Sequence, residues 1–262
     1  VRFAAASAVI PLGGGSYRGE VKPGWDIMGN ADGGYLMAIA ARAAAHAASR
    51  PDPVSVTAHF MRPAGPGPVS VSTEVLREGR RFSVVRAVLA SDDPLLAVLG
   101  TFGTLESSDH MDRLESGPPD LPPPDECVPI EPTGTFPPPF MGQVELRLDP
   151  ADSVFTTGTP SGRMRVQGWF RLRDGEPLDT MAVLMATDAF PPTIFNANLP
   201  IAWTPTLELT AHVRARPIPG WLRCVFTTRF ITGGFLEEDG EIWDQSGRLI
   251  AQSRQLALIP QG

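Results

Sequence analysis

The sequence predicts an α+β protein made of two tandem copies of one unit, in which a curled antiparallel sheet wraps an apolar helix. Three observations carry this. First, VTAHFMRPAGPG (residues 56–67) returns as LTAHVRARPIPG (residues 209–220), with Thr57/Thr210, Ala58/Ala211, His59/His212, Pro66/Pro219 and Gly67/Gly220 identical in place. A spacing of 153 residues is too long for a solenoid or propeller and is the length of a small domain. Second, each copy carries an apolar helix followed by alternating strands. Third, a proline-dense stretch without periodicity separates the copies.

In the first copy SYRGEV reads as a strand ahead of the helix. GGYLMAIAARAAAHAA (33–48) is Ala-rich and proline-free, follows the candidate caps Asn30 and Asp32, and is apolar nearly all round, so a buried helix is expected. PVSVTAHFMRP then alternates: Val54, Val56, Ala58 and Phe60 share one face, and Ser55, Thr57 and His59 the other. GPVSVSTEVLREG, RRFSVVRAVLAS and LLAVLGTFGTL complete a four-stranded meander. Residues 106–142 read as an extended connection without packing. The units are therefore 1–105 and 143–262.

The second copy repeats the order. RMRVQGWFRLRDG is a strand, and PLDTMAVLMATDAF a shorter helix capped by Asp179 or Thr180. After the loop PPTIFNANLPIAWTP come four strands, ending in RLIAQSRQLALI. Two such units hide their sheet edges by pairing them. The expectation is one continuous sheet in which Val54–Met61 and Leu207–Arg214 take equivalent places.

Composition narrows the function classes. With 42% hydrophobic and 19% charged residues the chain is globular, and a net charge of −7 argues against nucleic acid and anionic membranes. Cys127 and Cys224 stand alone, without the clustered ligands that zinc needs, so two reduced thiols in a cytoplasmic protein are expected. The first ten residues lack a basic stretch followed by an apolar core, and no apolar run spans a bilayer. Neither a metal nor a cofactor is expected.

NADGGYLMAIAARAA, LMATDAF, TPTLELTAHVRARP and SGRLIAQSRQ resemble the acyl-CoA thioesterase II family and its thioesterase-like relatives, across both copies but not the proline-rich stretch. SGRLIAQSRQ is the most specific part. The resemblance implies a double hotdog fold and hydrolysis of a fatty acyl-CoA to a free acid and CoA, without nucleophilic serine, metal or cofactor. It also implies that an Asp, a Ser or Thr, and a Gln of the second hotdog hold and activate water. These fall on Asp188, Thr206 and Gln255. A backbone N–H at a helix start would bind the thioester oxygen, which places Gly33, Gly34 and the neighbouring Asn30 at the substrate. The chain departs from the family at Pro191–Pro192, directly after the second helix. A homo-oligomer is expected by analogy alone.

Read without the resemblance, the same residues leave alternatives open. A glycine helix start offers free N–H groups and close backbone approach, and it also lets a helix pass a strand. Asp188 falls on a helical stripe with Met181, Leu184 and Met185, where burial suits a base, or in a terminal turn facing water. Gln255 shares an apolar face with Leu249, Ala251 and Ala257, so it pairs in the core or serves a site. Thr206 opens a strand, where a hydroxyl commonly closes a turn. Glu208 is the reserve base on the face of Thr206 and Thr210. His59 and His212 recur in both copies, which fits structure better than catalysis. The first copy carries Ala44, Pro53 and Thr101 where the second has Asp188, Thr206 and Gln255, so one composite site per chain is expected. No G-x-S-x-G elbow, G-x-G-x-x-G after a strand, or P-loop is present. A non-catalytic acyl-CoA or acyl-chain binder is the alternative, and a hotdog hydratase ranks below it.

Overall fold

The computed structural model describes residues 2–105, 113–133 and 137–260. The first half runs α1 (Phe3–Ala6), β1 (Ile10–Gly13), β2 (Ser16–Val21), β3 (Asp26–Ile27), β4 (Asn30–Ala31) and α2 (Gly33–Ala48). It continues through β5 (Asp52–Phe60), β6 (Gly67–Glu78), β7 (Ser83–Ala90) and β8 (Pro94–Gly103). Then come β9 (Val128–Ile130), β10 (Val144–Leu148), β11 (Arg165–Leu172) and α3 (Thr180–Ala186). Finally β12 (Thr206–Val213), β13 (Leu222–Thr227), β14 (Ile231–Thr232), β15 (Phe235–Asp244) and β16 (Leu249–Leu258) close the chain.

The helices α2 and α3 each start on an aspartate. Asp32 Oδ1 accepts from the Tyr35 N–H at 2.8 Å, and Asp179 Oδ1 from the Ala182 N–H at 2.8 Å. Each therefore satisfies one of the donors a helix start leaves unpaired. The apolar composition of α2 is explained by its place: it is buried on almost every side against β5, β6, β7 and β8. The second helix is shorter than the sequence pattern implies. It stops at Ala186, so Asp188 lies in the turn beyond it and not on its stripe.

The expected continuous sheet is present. Its order is β1-β2-β6-β7-β8-β5-β12-β16-β15-β13-β11-β10-β9, with β14 beside β15. Counting outward from the β5–β12 seam, six strands of one half match six of the other. Thr57 pairs with Thr210 at the centre of the seam, and their hydroxyls hydrogen-bond at 2.9 Å. Glu208 opposite His59 and His212 opposite Ser55 are then the two ends of a pseudo-twofold arrangement. The repeated Thr-Ala-His is written twice because one strand pairs with its own copy.

The proline-rich connection is not without packing, contrary to expectation. Val128–Ile130 pairs with β10 as the outermost strand of the second half. Phe140 and Met141 are buried in the core. Residues 106–112 and 134–136 lie outside the described residues. Cys127 and Cys224 are free and buried.

Asp52 ties the halves together from a buried position. It accepts from Arg216 Nη2 at 2.9 Å, Thr180 Oγ1 at 3.1 Å and the Leu105 N–H at 2.8 Å. Asp52→Ala orphans the buried Thr180 hydroxyl and the Leu105 amide, while the half-exposed Arg216 is rescued by water. The expected cost is about 1–3 kcal/mol, to be read as a lower Tm. An unchanged Tm would show that the clamp is dispensable.

Candidate active site

A cavity of about 680 Å³ opens between α2, the turn after α3 and the inner face of β12, β15 and β16. Its lining is mainly apolar, with Phe60, Phe155, Phe190, Phe195, Phe226 and Leu236 among the contributors. Met28 and Trp203 also line it but are 60% and 44% exposed, which places them at the mouth.

Asp188, Thr206 and Gln255, which are separated in the chain, all line this cavity, as do Asn30 and Gly33. Gln255 Nε2 donates to Thr206 Oγ1. Asp188 Oδ2 accepts from the Gly34 N–H at 2.9 Å. The carboxylate thus sits on the positive end of α2, where a helix favours negative charge. Burial, and next the charge of Glu238, push the Asp188 carboxyl up to about 7 despite that bond.

A β-bulge decides which threonine-side groups face inward. The register shifts between Thr206 and Glu208, so Thr206 pairs with the buried Ala257 while Glu208 pairs with the exposed Leu256. Thr206 therefore points with Gln255 into the cavity. Glu208 is on the outer face, where it accepts from the Thr210 hydroxyl. The reserve base and its shared face with Thr206 do not hold, because strict alternation fails across a bulge. His59 and His212 are exposed on that outer face as well.

The glycines divide their roles. The Gly34 N–H is taken by Asp188, and the Tyr35 N–H by Asp32. Gly33 is the helix-start residue that lines the cavity, and among the described residues its N–H has no partner. Asn30 belongs to β4 and lines the same cavity; the cap is Asp32.

Two carboxylates of the site were not anticipated. Asp32, read only as a cap, is 1% exposed, lines the cavity, and has no partner at Oδ2 among the described residues. Burial and the Asp188 charge hold its carboxyl well above the usual range. Glu238 is buried, lines the cavity, and is the cross-strand neighbour of Gln255. A signal for it existed: Leu236, Glu238, Gly240 and Ile242 alternate inward along β15, which puts a glutamate at a core position.

The first half lacks counterparts of Thr206 and Gln255, with one correction to the register. Val56 and Leu209 are equivalent across the seam, and they pair with Gly100 and Gln255. Gln255 thus corresponds to Gly100, not Thr101. Thr206 corresponds to Pro53, and both strands carry the same bulge one residue later.

Two family models match the chain: an acyl-CoA thioesterase N-terminal domain over residues 21–103, and an acyl-CoA thioesterase C-terminal domain over residues 124–259. Uncharacterised proteins of Mycobacterium tuberculosis and Mycobacterium bovis are 30% identical over 272 residues, covering 93% of this chain and 91% of theirs. A crystal structure assigned to thioesterase II from Thermobifida fusca is 31% identical, with a TM-score of 0.90, covering 99% of this chain and 98% of that one. A hot dog fold protein from Alicyclobacillus acidocaldarius, at 23% identity and a TM-score of 0.87 over 99% and 98% of the two chains, shares the fold.

Proposed function

This chain belongs to the acyl-CoA thioesterase family, and from that premise we propose that water, activated in the cavity between the halves, attacks the thioester carbonyl directly. Thioester hydrolysis is the reaction of that family, and acyl-CoA its substrate. The observation that carries the route is the convergence of Asp188, Thr206 and Gln255 on one apolar cavity at the glycine start of α2.

The acyl chain lies along the aromatic lining, with CoA leaving through the mouth near Met28 and Trp203. Thr206 and Gln255 hold a water beside Asp188. Asp188 takes its proton as the water oxygen bonds to the carbonyl carbon. The Gly33 N–H, with Asn30 lining the same cavity, receives the developing oxyanion. The tetrahedral intermediate expels the CoA sulfur, which takes the proton back from Asp188. The products are a carboxylic acid and CoA thiol, and no covalent enzyme intermediate forms.

A panel of acyl-CoA substrates with free-thiol detection tests this. Thr206→Val and Gln255→Ala are each expected to lower kcat/KM on the order of 10²-fold, as when one preorganised donor is lost. Thr101→Ala, a change on the outer face of the first half, is expected to leave it unchanged. Tight binding measured by calorimetry without thiol release would instead make the protein an acyl-CoA binder.

A further inference from the structure

We propose that Glu238 is a positioning residue of this site: it anchors the segment that carries Asp188 and sets a second carboxylate against it, so that the pair governs when Asp188 can accept a proton. This rests on the reading of Asp188 as the base.

The first observation is the duplicated register. Leu209, Gln255 and Glu238 lie in one row across β12, β16 and β15. The equivalent row of the first half is Val56, Gly100 and Val85. Val85 is fully buried, as expected of an inward strand position. A buried charge there destabilises the fold unless something offsets it. In this row the second half places its carboxylate on the cavity that Gln255 and Asp188 also line.

The second observation is a tether. Glu238 Oε2 accepts from the Thr193 N–H at 2.9 Å. Thr193 is five residues after Asp188, across Ala189, Phe190, Pro191 and Pro192. The prolines fix two of the intervening φ angles. One end of this short segment is held by the Gly34 N–H through Asp188, and the other by Glu238. The paired prolines that depart from the family thus become a stiff brace.

The charged surroundings give the pair its consequence. Asp188 faces Glu238 from the turn after α3, Asp32 stands by Asp188 at the cap of α2, and Glu237 flanks Glu238 on β15. Arg62 lines the cavity from the loop after β5 and pairs with the exposed Asp93 at 3.4 Å. Burial first, then Glu237, push the Glu238 carboxyl up to about 7, as for Asp188. Like-charged carboxyls in one apolar cavity ionise in sequence and not together.

Carbon-13 NMR of labelled aspartate carboxyls, recorded across pH on wild type and Glu238→Gln, tests this. Glutamine keeps an acceptor for Thr193 and removes only the charge. The Asp188 midpoint is expected to move to lower pH, and the acid limb of kcat/KM with it. Glu238→Val, which installs the first-half residue, is expected to lower kcat further than glutamine does, because the tether is lost too. If the glutamine variant does not fold, the valine variant carries the titration. An unmoved Asp188 midpoint overturns the proposal, and so does unfolding of both variants, which would make Glu238 merely structural. The NMR midpoint needs no turnover, so a wild type that releases no thiol would sink the hydrolysis reading separately.

Discussion

Asp188→Asn is expected to lower kcat/KM for acyl-CoA hydrolysis by about 10²–10⁴-fold and, above neutral pH, to raise the Tm. The two effects have one cause. The Asp188 carboxyl is displaced from its ordinary 3.8 to about 7, chiefly by burial and then by Glu238. A base tuned near 7 is well matched to removing a proton from water at neutral pH. The same displacement costs stability. An acid whose folded value is raised binds more protons folded than unfolded, so its stabilising contribution is greatest below about 4. That contribution falls as pH rises from about 4 to about 7, and above 7 the full cost is present. Asparagine cannot ionise and escapes this cost, while its oxygen still accepts from the Gly34 N–H. The Tm difference between variant and wild type should therefore widen from pH 4 to pH 8, as hydrolysis is lost. In wild type, kcat/KM should rise with pH through about 7. A variant that keeps wild-type turnover would remove Asp188 from the base role, whatever its Tm.

The features legible in the sequence were those written by periodicity and by duplication. The alternation of Val56, Ala58 and Phe60 placed β5, and the repeated Thr-Ala-His foretold equivalent places for β5 and β12, but not that they pair with each other where Thr57 meets Thr210. The gathering of Asp188, Thr206 and Gln255 rested on resemblance, because no spacing along one strand or helix joins them. What was missed has physical reasons. The bulge after Thr206 has no residue signature, yet it reverses the side on which Glu208 lies. The register of β8 against β16 slipped by one position because setting Thr101 against Gln255 by their offset in the chain does not encode strand pairing. Val128–Ile130 was hidden among prolines, which an edge strand tolerates and a central strand accepts only near its start or at a bulge. Asp32 and Glu238 were passed over because a cap and a strand glutamate have ordinary surface explanations until the cavity places them together.

Gly34→Ala is expected to destabilise the protein and abolish turnover, against the usual preference of helices for alanine. In a helix interior alanine is favoured over glycine by roughly 0.8–1.0 kcal/mol, and at a helix start by less. At Gly34 that gain is outweighed by contact. A Cβ there would lie 2.7 Å from the Met185 carbonyl oxygen and 2.9 Å from its Cα. Both are backbone atoms of α3, so no rotamer change relieves the clash and the helices must separate. Overpacking of this kind costs typically about 1–3 kcal/mol, and separation also moves Asp188, whose Cβ would be 3.0 Å away. The Tm should therefore fall along with activity, which means a Gly34 variant cannot isolate an oxyanion role. Gly33 can. Its Cβ would meet Asp188 Oδ2 at 2.5 Å and the Phe60 ring at 2.8 Å, both side-chain atoms that can swing into the cavity. Gly33→Ala should keep most of its Tm while turnover falls, because the carboxylate is displaced and carbonyl access to the N–H is narrowed. Thermal melts and thiol-release rates on the two variants separate these fates. A Gly34→Ala protein as stable as wild type would show that α2 and α3 do not need their close approach, and an active one that the site does not depend on it.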